Sequence, residues 1–286
     1  MCLKGHKTAE IENVVKIVSA RLKRSRGQIC MNKKNPEPLI SILMAAYNSE
    51  KTIRYAIDSV LAQTYQNWEL LVVDDCSSDN TLSIAGSYVD PRIRVFRNQS
   101  NSGVSRTRKK ALDAAAGEWI AVLDSDDMWA PNKLEKQLKL AETYEAKLIF
   151  TGSAFVRDDG SPINWQLHVP EELGYRELLK QNLISNSSVL VENNLYRKYY
   201  VTNDKVHEDY ALWLRITGAG TTAYGIDEPL LYYRLVRPSR SSNKLNAAKM
   251  RWNTYRFSGL DAIPASYYMC WYAVRGMLKY GHLLKG

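Results

Sequence analysis

Short apolar runs alternate along this chain with segments whose apolar residues recur every three or four positions. The first run is Leu39-Ile40-Ser41-Ile42-Leu43-Met44-Ala45, and its near-continuous apolarity predicts a strand buried on both faces. Ile53, Ala56, Ile57, Val60 and Leu61 follow at helical spacing, with Asn48 and Ser49 as N-cap candidates. Residues 69–73 predict a second strand ending at Asp74-Asp75, and Ser77 or Ser78 is placed to cap a helix running through Ser87. Ile93-Arg94-Val95-Phe96 predicts a third strand, followed by a helix from about Ser102 to Ala116 that Gly117 closes as a C-cap. The run Trp119-Ile120-Ala121-Val122-Leu123 is the next strand. A helix from Pro131 follows, with Leu134, Leu138 and Ala141 on one side, then a strand at Lys147-Leu148-Ile149-Phe150. Strands alternating with helices, and apolar on both faces, predict an α/β fold with a mostly parallel sheet of the doubly wound kind.

Outside this region the pattern weakens. Residues 152–236 are less regular and are expected to complete the same domain. Residues 267–284 form an aromatic-rich helix carrying Arg275 and Lys279, with Lys285 just beyond. Residues 1–37 read as an appendage: a basic amphipathic helix over 11–23, then the polar, Pro-interrupted linker Lys33-Lys34-Asn35-Pro36-Glu37-Pro38. Met31, just before that linker, is an alternative start.

Charge narrows the partners. The net charge is +9, from 39 Lys and Arg against 30 Asp and Glu, which suits nucleotide phosphates, a lipid pyrophosphate or an anionic membrane surface. Nucleic acid fits the charge equally well, but no aromatic-basic recognition motif is present. The four cysteines (Cys2, Cys30, Cys76, Cys270) lack metal-ligand spacing, which points to a reducing cytoplasm. No run approaches the ~18 apolar residues that span a bilayer. The expected location is the cytoplasm, free or against the inner face of the cell membrane.

Candidate chemistry gathers where strands end. Asp124-Ser125-Asp126-Asp127 crowds three carboxylates directly after a buried strand, and like charges so close call for a cation, a proton or solvent. Hard oxygen ligands suit Mg²⁺ or Mn²⁺; the alternative is a solvated acidic turn before the Pro131 helix. Asp74-Asp75 ends another strand, and His207-Glu208-Asp209 precedes the helical run Tyr210-Ala211-Leu212-Trp213-Leu214-Arg215. A GxxxxGK[ST] loop and a GxGxxG turn are both absent, so neither a P-loop nor a dinucleotide fold is indicated.

These segments together resemble the family 2 inverting glycosyltransferases of the GT-A fold. The matching pieces are Ser41-Ile42-Leu43-Met44-Ala45-Ala46-Tyr47-Asn48, Val72-Val73-Asp74-Asp75-Cys76-Ser77-Ser78-Asp79, Asn101-Ser102-Gly103-Val104-Ser105, Leu123-Asp124-Ser125-Asp126-Asp127 and Glu208-Asp209-Tyr210. They occur in the family's order across residues 39–236. The likeness is nearest to bacterial enzymes that build O-antigen, capsule or teichuronic-type polysaccharide. Arg234, Pro238, Ser239, Ser241, Ser242 and Asn243 are similar to a segment of that subgroup.

The resemblance implies a Rossmann-like sheet and a division into an appendage (1–37), a catalytic domain (38–240) and a C-terminal helical region (241–286). The catalytic domain would have a nucleotide half over about 38–130 and an acceptor half over about 131–240. Ala45, Tyr47 and Glu50 would form the nucleotide pocket, with Tyr47 flat against uracil and Asp75 accepting its N–H. Asp74 would instead hold the loop. Arg108 matches the arginine of a family helix in which Lys109 replaces an asparagine, and would face the donor. Asp124, with Ser125 beside it, would serve the donor's ribose or a metal-bound water. Asp126 would bind Mn²⁺ or Mg²⁺ directly, with Asp127 as ligand or orienting neighbour. Asp209 would be the catalytic base, flanked on the acceptor side by Glu208 and His207. The implied reaction moves a sugar from a UDP-sugar to a hydroxyl of a glycan or an undecaprenyl-pyrophosphate-linked acceptor, with inversion to a β-linkage.

Two other classes compete. A catalytically silent nucleotide-sugar-binding subunit of an assembly complex would be free to lose either the Asp124–Asp126 pair or Asp209, and this chain keeps both. A nucleotidyltransferase would carry a Gly-rich basic loop after the first strand, where this chain has Ala45-Ala46-Tyr47-Asn48-Ser49-Glu50. The C-terminal helix, with Tyr267, Trp271, Val274 and Leu278 on one side, suits either a membrane interface or packing on protein.

Overall fold

The computed structural model describes residues 37–235 and 244–281, with side chains left undescribed at 244, 245 and 274–281. The appendage at 1–36, the 238–243 stretch and Lys285 lie outside the described residues, as do the side chains of Val274, Arg275, Leu278 and Lys279.

The alternation read from the sequence opens the described chain. Strand β1 (Ile40–Ala46) leads to helix α1 (Ile53–Leu61), β2 (Trp68–Asp74), α2 (Thr81–Gly86), β3 (Ile93–Arg97), α3 (Val104–Ala114) and β4 (Trp119–Val122). A short β5 (Met128–Trp129) precedes α4 (Lys133–Tyr144) and the long β6 (Leu148–Arg157). The irregular stretch of the sequence then continues the sheet through β7 (Pro162–Leu167), β8 (Glu172–Leu173), α5 (Tyr175–Lys180), a 3₁₀ turn (Asn186–Ser188), β9 (Leu190–Glu192), α6 (Asn193–Tyr199), α7 (Glu208–Gly218) and β10 (Ala223–Leu235). Two helices, α8 (Lys244–Phe257) and α9 (Ala262–Gly281), complete the described chain.

The strands form one sheet in the order β3-β2-β1-β4-β9-β6-β10-β5, with β7 on β6 and β8 on β10. β3, β2, β1 and β4 pair in parallel, as do β6 and β10. Between them β9 runs antiparallel to both β4 and β6. Two cores cover the sheet, one per face. On one, Ile40, Ile42 and Met44 of β1 meet Ile53, Ala56, Ile57 and Val60 of α1 and Leu134 and Leu138 of α4. On the other, Leu43 of β1 meets Leu112 of α3, Trp213 of α7 and Tyr255 of α8. Adjacent residues of β1 thus point into opposite cores, the physical reason its sequence shows no polar face.

Local chemistry corrects some cap assignments. Helix α3 stops at Ala114, with Ala115 already extended, so Gly117 is not its C-cap. Gly117 is needed because a Cβ there would lie 2.6 Å from the Leu39 carbonyl oxygen and the Ser41 nitrogen. Asn48 and Ser78 do not cap helices by their side chains either; they bond to one another. Helix α9 packs Tyr268 and Met269 against the core that holds Tyr255, while Ile263, Tyr267 and Trp271, four residues apart, stay exposed. Among the described residues no helix is long and apolar enough to cross a membrane.

Candidate active site

Parallel pairing brings the C-terminal ends of β1, β2 and β4 to one edge of the sheet, where Ala46 lies beside Asp74 and the Leu123 N–H donates to the Leu43 carbonyl at 3.1 Å. Ligands of open α/β sheets bind beyond such an edge. Here the chain leaves β1 and β2 through left-handed residues, Asn48 at φ 48° and Cys76 at φ 61°. The two exits are laced together. The Ser78 N–H donates to Asn48 Oδ1 at 3.0 Å, the Asn48 N–H to Ser77 Oγ at 3.0 Å, and the Ser49 N–H to Thr81 Oγ1 at 2.7 Å. Tyr47, held at the start of this lacing, leaves its ring half exposed, and Ala45 beneath it is half-buried. Glu50 is committed locally: its Oε2 accepts from the Asn80 N–H at 3.2 Å and from Asn80 Nδ2 at 3.0 Å.

Asp75 is buried and organises the loop ahead of α3. Its Oδ1 accepts from Asn98 Nδ2 (2.8 Å), the Ser102 N–H (2.9 Å) and Ser102 Oγ (2.9 Å), and its Oδ2 from the Gly103 N–H (2.9 Å). Burial alone would raise its pKa, but the Asn98, Ser102 and Thr107 donors outweigh it and hold the carboxyl below its ordinary value. Asp75 is therefore an ionised acceptor, with capacity left on Oδ2. Its neighbour Asp74 accepts from the Ser77 N–H at 3.2 Å and faces Arg97 at 3.6 Å, the loop-holding part expected for it.

The acidic turn after β4 divides by orientation. Asp124 accepts from Arg108 Nη2 at 2.9 Å and from Asn186 Nδ2 at 3.1 Å. Ser125 is buried, its hydroxyl 2.8 Å from that of Ser49. Asp127 points inward: its Oδ2 accepts from Ser187 Oγ at 2.6 Å and its Oδ1 from the Arg234 N–H at 3.0 Å. Burial and the charges of Asp126 and Asp124 raise its pKa well above the ordinary value. Asp126 differs from both. Among the described residues no side-chain donor reaches its carboxylate, and burial with the Asp124 charge pushes its pKa up to about 6. Its main-chain oxygen is fixed by Arg234 Nε at 3.1 Å, so the backbone is held while the carboxylate stays available.

The second acidic cluster opens α7. Asp209 is half-buried in the first turn of that helix. Burial and the Glu208 charge push its pKa up to about 6, against the helix-end N–H of Tyr210 and the Arg108 charge. Arg108 joins the two clusters. It is 3% exposed, and its Nη2 reaches Asp124 at 2.9 Å while its Nη1 reaches Glu208 at 3.3 Å. Burial works against its charge, but the two carboxylates keep it protonated. His207 serves the fold, its N–H donating to Thr254 Oγ1 at 3.0 Å and its Nε2 lying 3.4 Å from the Ala247 carbonyl on α8.

Residues 84 positions apart, Asp124 and Glu208, thus share one buried cation. Three participants were not singled out from the sequence for this site. Asn186 and Ser187 enter from the 3₁₀ turn before β9, and Arg234 braces the acidic turn from β10 while donating to the carbonyls of Arg157 and Asp158. The signals available were the polar run Asn186-Ser187-Ser188 between apolar segments and the place of Arg234 in the family-like segment. No group of three or more His, Cys, Asp or Glu among the described residues is placed to hold a metal by itself. Asp126 still fits one, because Mg²⁺-like ions are held by one or two carboxylates plus substrate phosphates.

Comparison with known proteins shows the family and the fold. TuaG of Bacillus subtilis (strain 168), provisionally named a teichuronic acid biosynthesis glycosyltransferase, is 38% identical over 248 residues, covering 86% of this chain and 98% of TuaG. The Escherichia coli protein WfgD, a UDP-Glc:α-D-GlcNAc-diphosphoundecaprenol β-1,3-glucosyltransferase, is 36% identical over 85% of this chain and 95% of its own length. The crystal structure of Staphylococcus aureus TarS (1–349) with UDP-GlcNAc superposes with a TM-score of 0.66 at 19% identity, covering 84% of this chain and 73% of that one. The shared architecture is the GT-A fold. The sequence model described as "Glycosyl transferase family 2" matches residues 41–202, from β1 through α6. The chain belongs to glycosyltransferase family 2.

Proposed function

We propose that this glycosyltransferase uses a UDP-sugar and transfers the sugar with inversion to a hydroxyl of a glycan or lipid-diphosphate-linked acceptor in bacterial surface polysaccharide synthesis. The observation that carries this reading is the Arg108 bridge, which ties Asp124 of the donor-side turn to Glu208 beside Asp209. Asp75 and Tyr47 supply an acceptor and a flat face for uracil. Asp124 would meet the donor's ribose or a bound water. Asp126 would hold Mn²⁺ or Mg²⁺ together with the donor's diphosphate, and that ion would neutralise the charge of the departing UDP. Asp127, with both oxygens engaged, sets the turn that aims Asp126.

Asp209 acts on the other side of the anomeric carbon. It accepts the proton of the acceptor hydroxyl as that oxygen forms the new bond and the bond to the UDP oxygen breaks. One displacement inverts the centre, turning an α-linked donor into a β-linked product. The names of TuaG and WfgD support a polysaccharide setting and a diphosphoundecaprenol acceptor.

The test is a screen of UDP-sugars with Mn²⁺ or Mg²⁺, scored by UDP release, with the product's anomeric configuration read by NMR. An α-linked product from an α-linked donor would refute inversion. UDP bound without turnover on any acceptor would favour a silent subunit. In the same format Asp126→Ala is expected to weaken metal-dependent UDP binding by about a hundredfold, since one of few direct ligands is lost. Calorimetry finding the same metal dependence would place the ion elsewhere.

The exposed stripe Ile263, Tyr267 and Trp271 on α9 supports contact with an anionic membrane surface, where such rings sit at headgroup level. Co-flotation with liposomes containing anionic lipid is expected, and Trp271→Ala with Tyr267→Ala should reduce it. Wild-type protein that stays unbound removes the membrane contact.

A further inference from the structure

Three neighbouring strands each contribute one aromatic ring to a continuous ledge. Phe155 of β6 is the register partner of Tyr233 of β10, with ring centroids 5.6 Å apart. On the other side of Phe155, Trp165 of β7 approaches to 4.5 Å. The β6–β7 pairing shifts register between Ala154 and Phe155, and that irregularity lies where Trp165 meets Phe155. Such rings on a sheet are expected to be covered by a helix, yet Tyr233 is 38% and Trp165 44% exposed.

The ledge begins at the reaction site. Tyr233 directly precedes Arg234, whose N–H donates to Asp127 Oδ1 at 3.0 Å and whose Nε donates to the Asp126 carbonyl at 3.1 Å, so the β10 end of the ledge adjoins the acidic turn. From there Phe155 and Trp165 lead away from the clusters, along strands in the acceptor half of the chain.

We propose that the Tyr233–Phe155–Trp165 ledge is the acceptor-sugar subsite, on which the pyranose bearing the attacking hydroxyl stacks. The proposal rests on the reading of the adjoining cleft as a glycosyl-transfer site. A pyranose has an apolar face of axial C–H groups, and these are attracted to the negative face of an aromatic ring. A flat aromatic wall with a few polar groups at one end is the usual chemistry of a small-ligand site. At the polar end Asp209 would receive the hydroxyl proton while the stacked ring fixes which hydroxyl is presented. The ledge therefore selects for a pyranose with an unobstructed face and leaves the UDP pocket untouched.

Saturation-transfer NMR of the full chain with UDP, Mg²⁺ and the methyl glycosides of glucose, galactose and their N-acetyl forms reads donor and acceptor sites separately. At least one glycoside is expected to take up saturation at its axial ring hydrogens. Trp165→Ala should weaken that glycoside's binding about tenfold with uridine signals unchanged, and Trp165→Phe should restore most of it. Because Trp165 is half exposed, circular dichroism should match wild type; Phe155→Leu provides a second truncation of the ledge. Equal glycoside saturation in wild type and Trp165→Ala overturns the proposal, as does a UDP-bound wild type that saturates no glycoside. Missing uridine signals in the wild type would instead overturn the donor reading, leaving the glycoside signals to judge the ledge.

Discussion

Asp209→Asn is expected to lower turnover by about a hundredfold to ten-thousandfold, the usual contribution of a positioned general base, while UDP affinity stays near wild type. Asparagine keeps the size of the side chain but cannot take up the acceptor's proton. The same substitution should raise thermal stability. An aspartate has an ordinary pKa of 3.8, and that of Asp209 stands at about 6 because of burial and Glu208. A carboxyl shifted upward costs the folded state nothing below 3.8; the cost grows through the interval and is complete above about pH 6. Removing the charge should therefore stabilise the protein by about 3 kcal/mol at pH 7.5 and by little near pH 4. With metal ion saturating, so that Asp126 is held ionised, the pH profile of kcat/KM supplies the matching readout: wild type should rise through about pH 6 and level off, and the variant should lack that step. Near-wild-type turnover by Asp209→Asn would remove Asp209 from the reaction.

Arg108→Met should produce the largest loss of stability among the site variants. Methionine keeps much of the buried volume but leaves Asp124 and Glu208 facing each other's cluster without their shared cation. Removing one partner of a buried ion pair costs about 3–5 kcal/mol, so urea unfolding should show a sharply lower midpoint. Arg108 also lowers the pKa of Asp209, so the acid limb of the kcat/KM profile should move upward in the variant. Arg108→Lys separates charge from geometry: one ammonium retains the charge but lacks the planar fork that reaches both carboxylates. It should recover much of the pH midpoint and only part of the stability. An unmoved pH midpoint in Arg108→Met, measured at a temperature where the variant is folded, would disconnect the two clusters.

The sequence made the first half of the sheet readable because each strand there is buried on both faces and ends in a polar turn. Ile40 to Met44 and Leu70 to Val73 need no tertiary information to be recognised as strands. The acidic ends were readable for the same reason, since carboxylates directly after such runs must emerge at the sheet's edge. What each carboxylate does was not readable. Asp126 and Asp127 are adjacent and identical in type, and they differ only because Ser187 and the Arg234 N–H, 60 and 107 residues away, occupy one of them. The resemblance marked Arg108 as facing the donor, but not as a cation shared between two carboxylates. Its surroundings are Asp124, Tyr196, Tyr200 and Glu208, brought to it from later in the chain, which no local pattern announces. β10 was missed because its pattern is mixed: it has one buried face only in places and register shifts against β6 at Pro229.

The reversed strand β9 gives the enzyme a seam along which it can diversify. Because β9 enters the sheet at the catalytic edge, its preceding turn hands Asn186 and Ser187 to the acidic cluster, while β6, β7 and β10 lie on its far side. Side chains on β7 and the outer half of β6 can therefore change during evolution without disturbing the lacing around Asp75. A lineage could explore new acceptors while inheriting its nucleotide chemistry intact, and chimeras that exchange only the β6–β7 hairpin, residues 148–167, are the natural place to look for that independence.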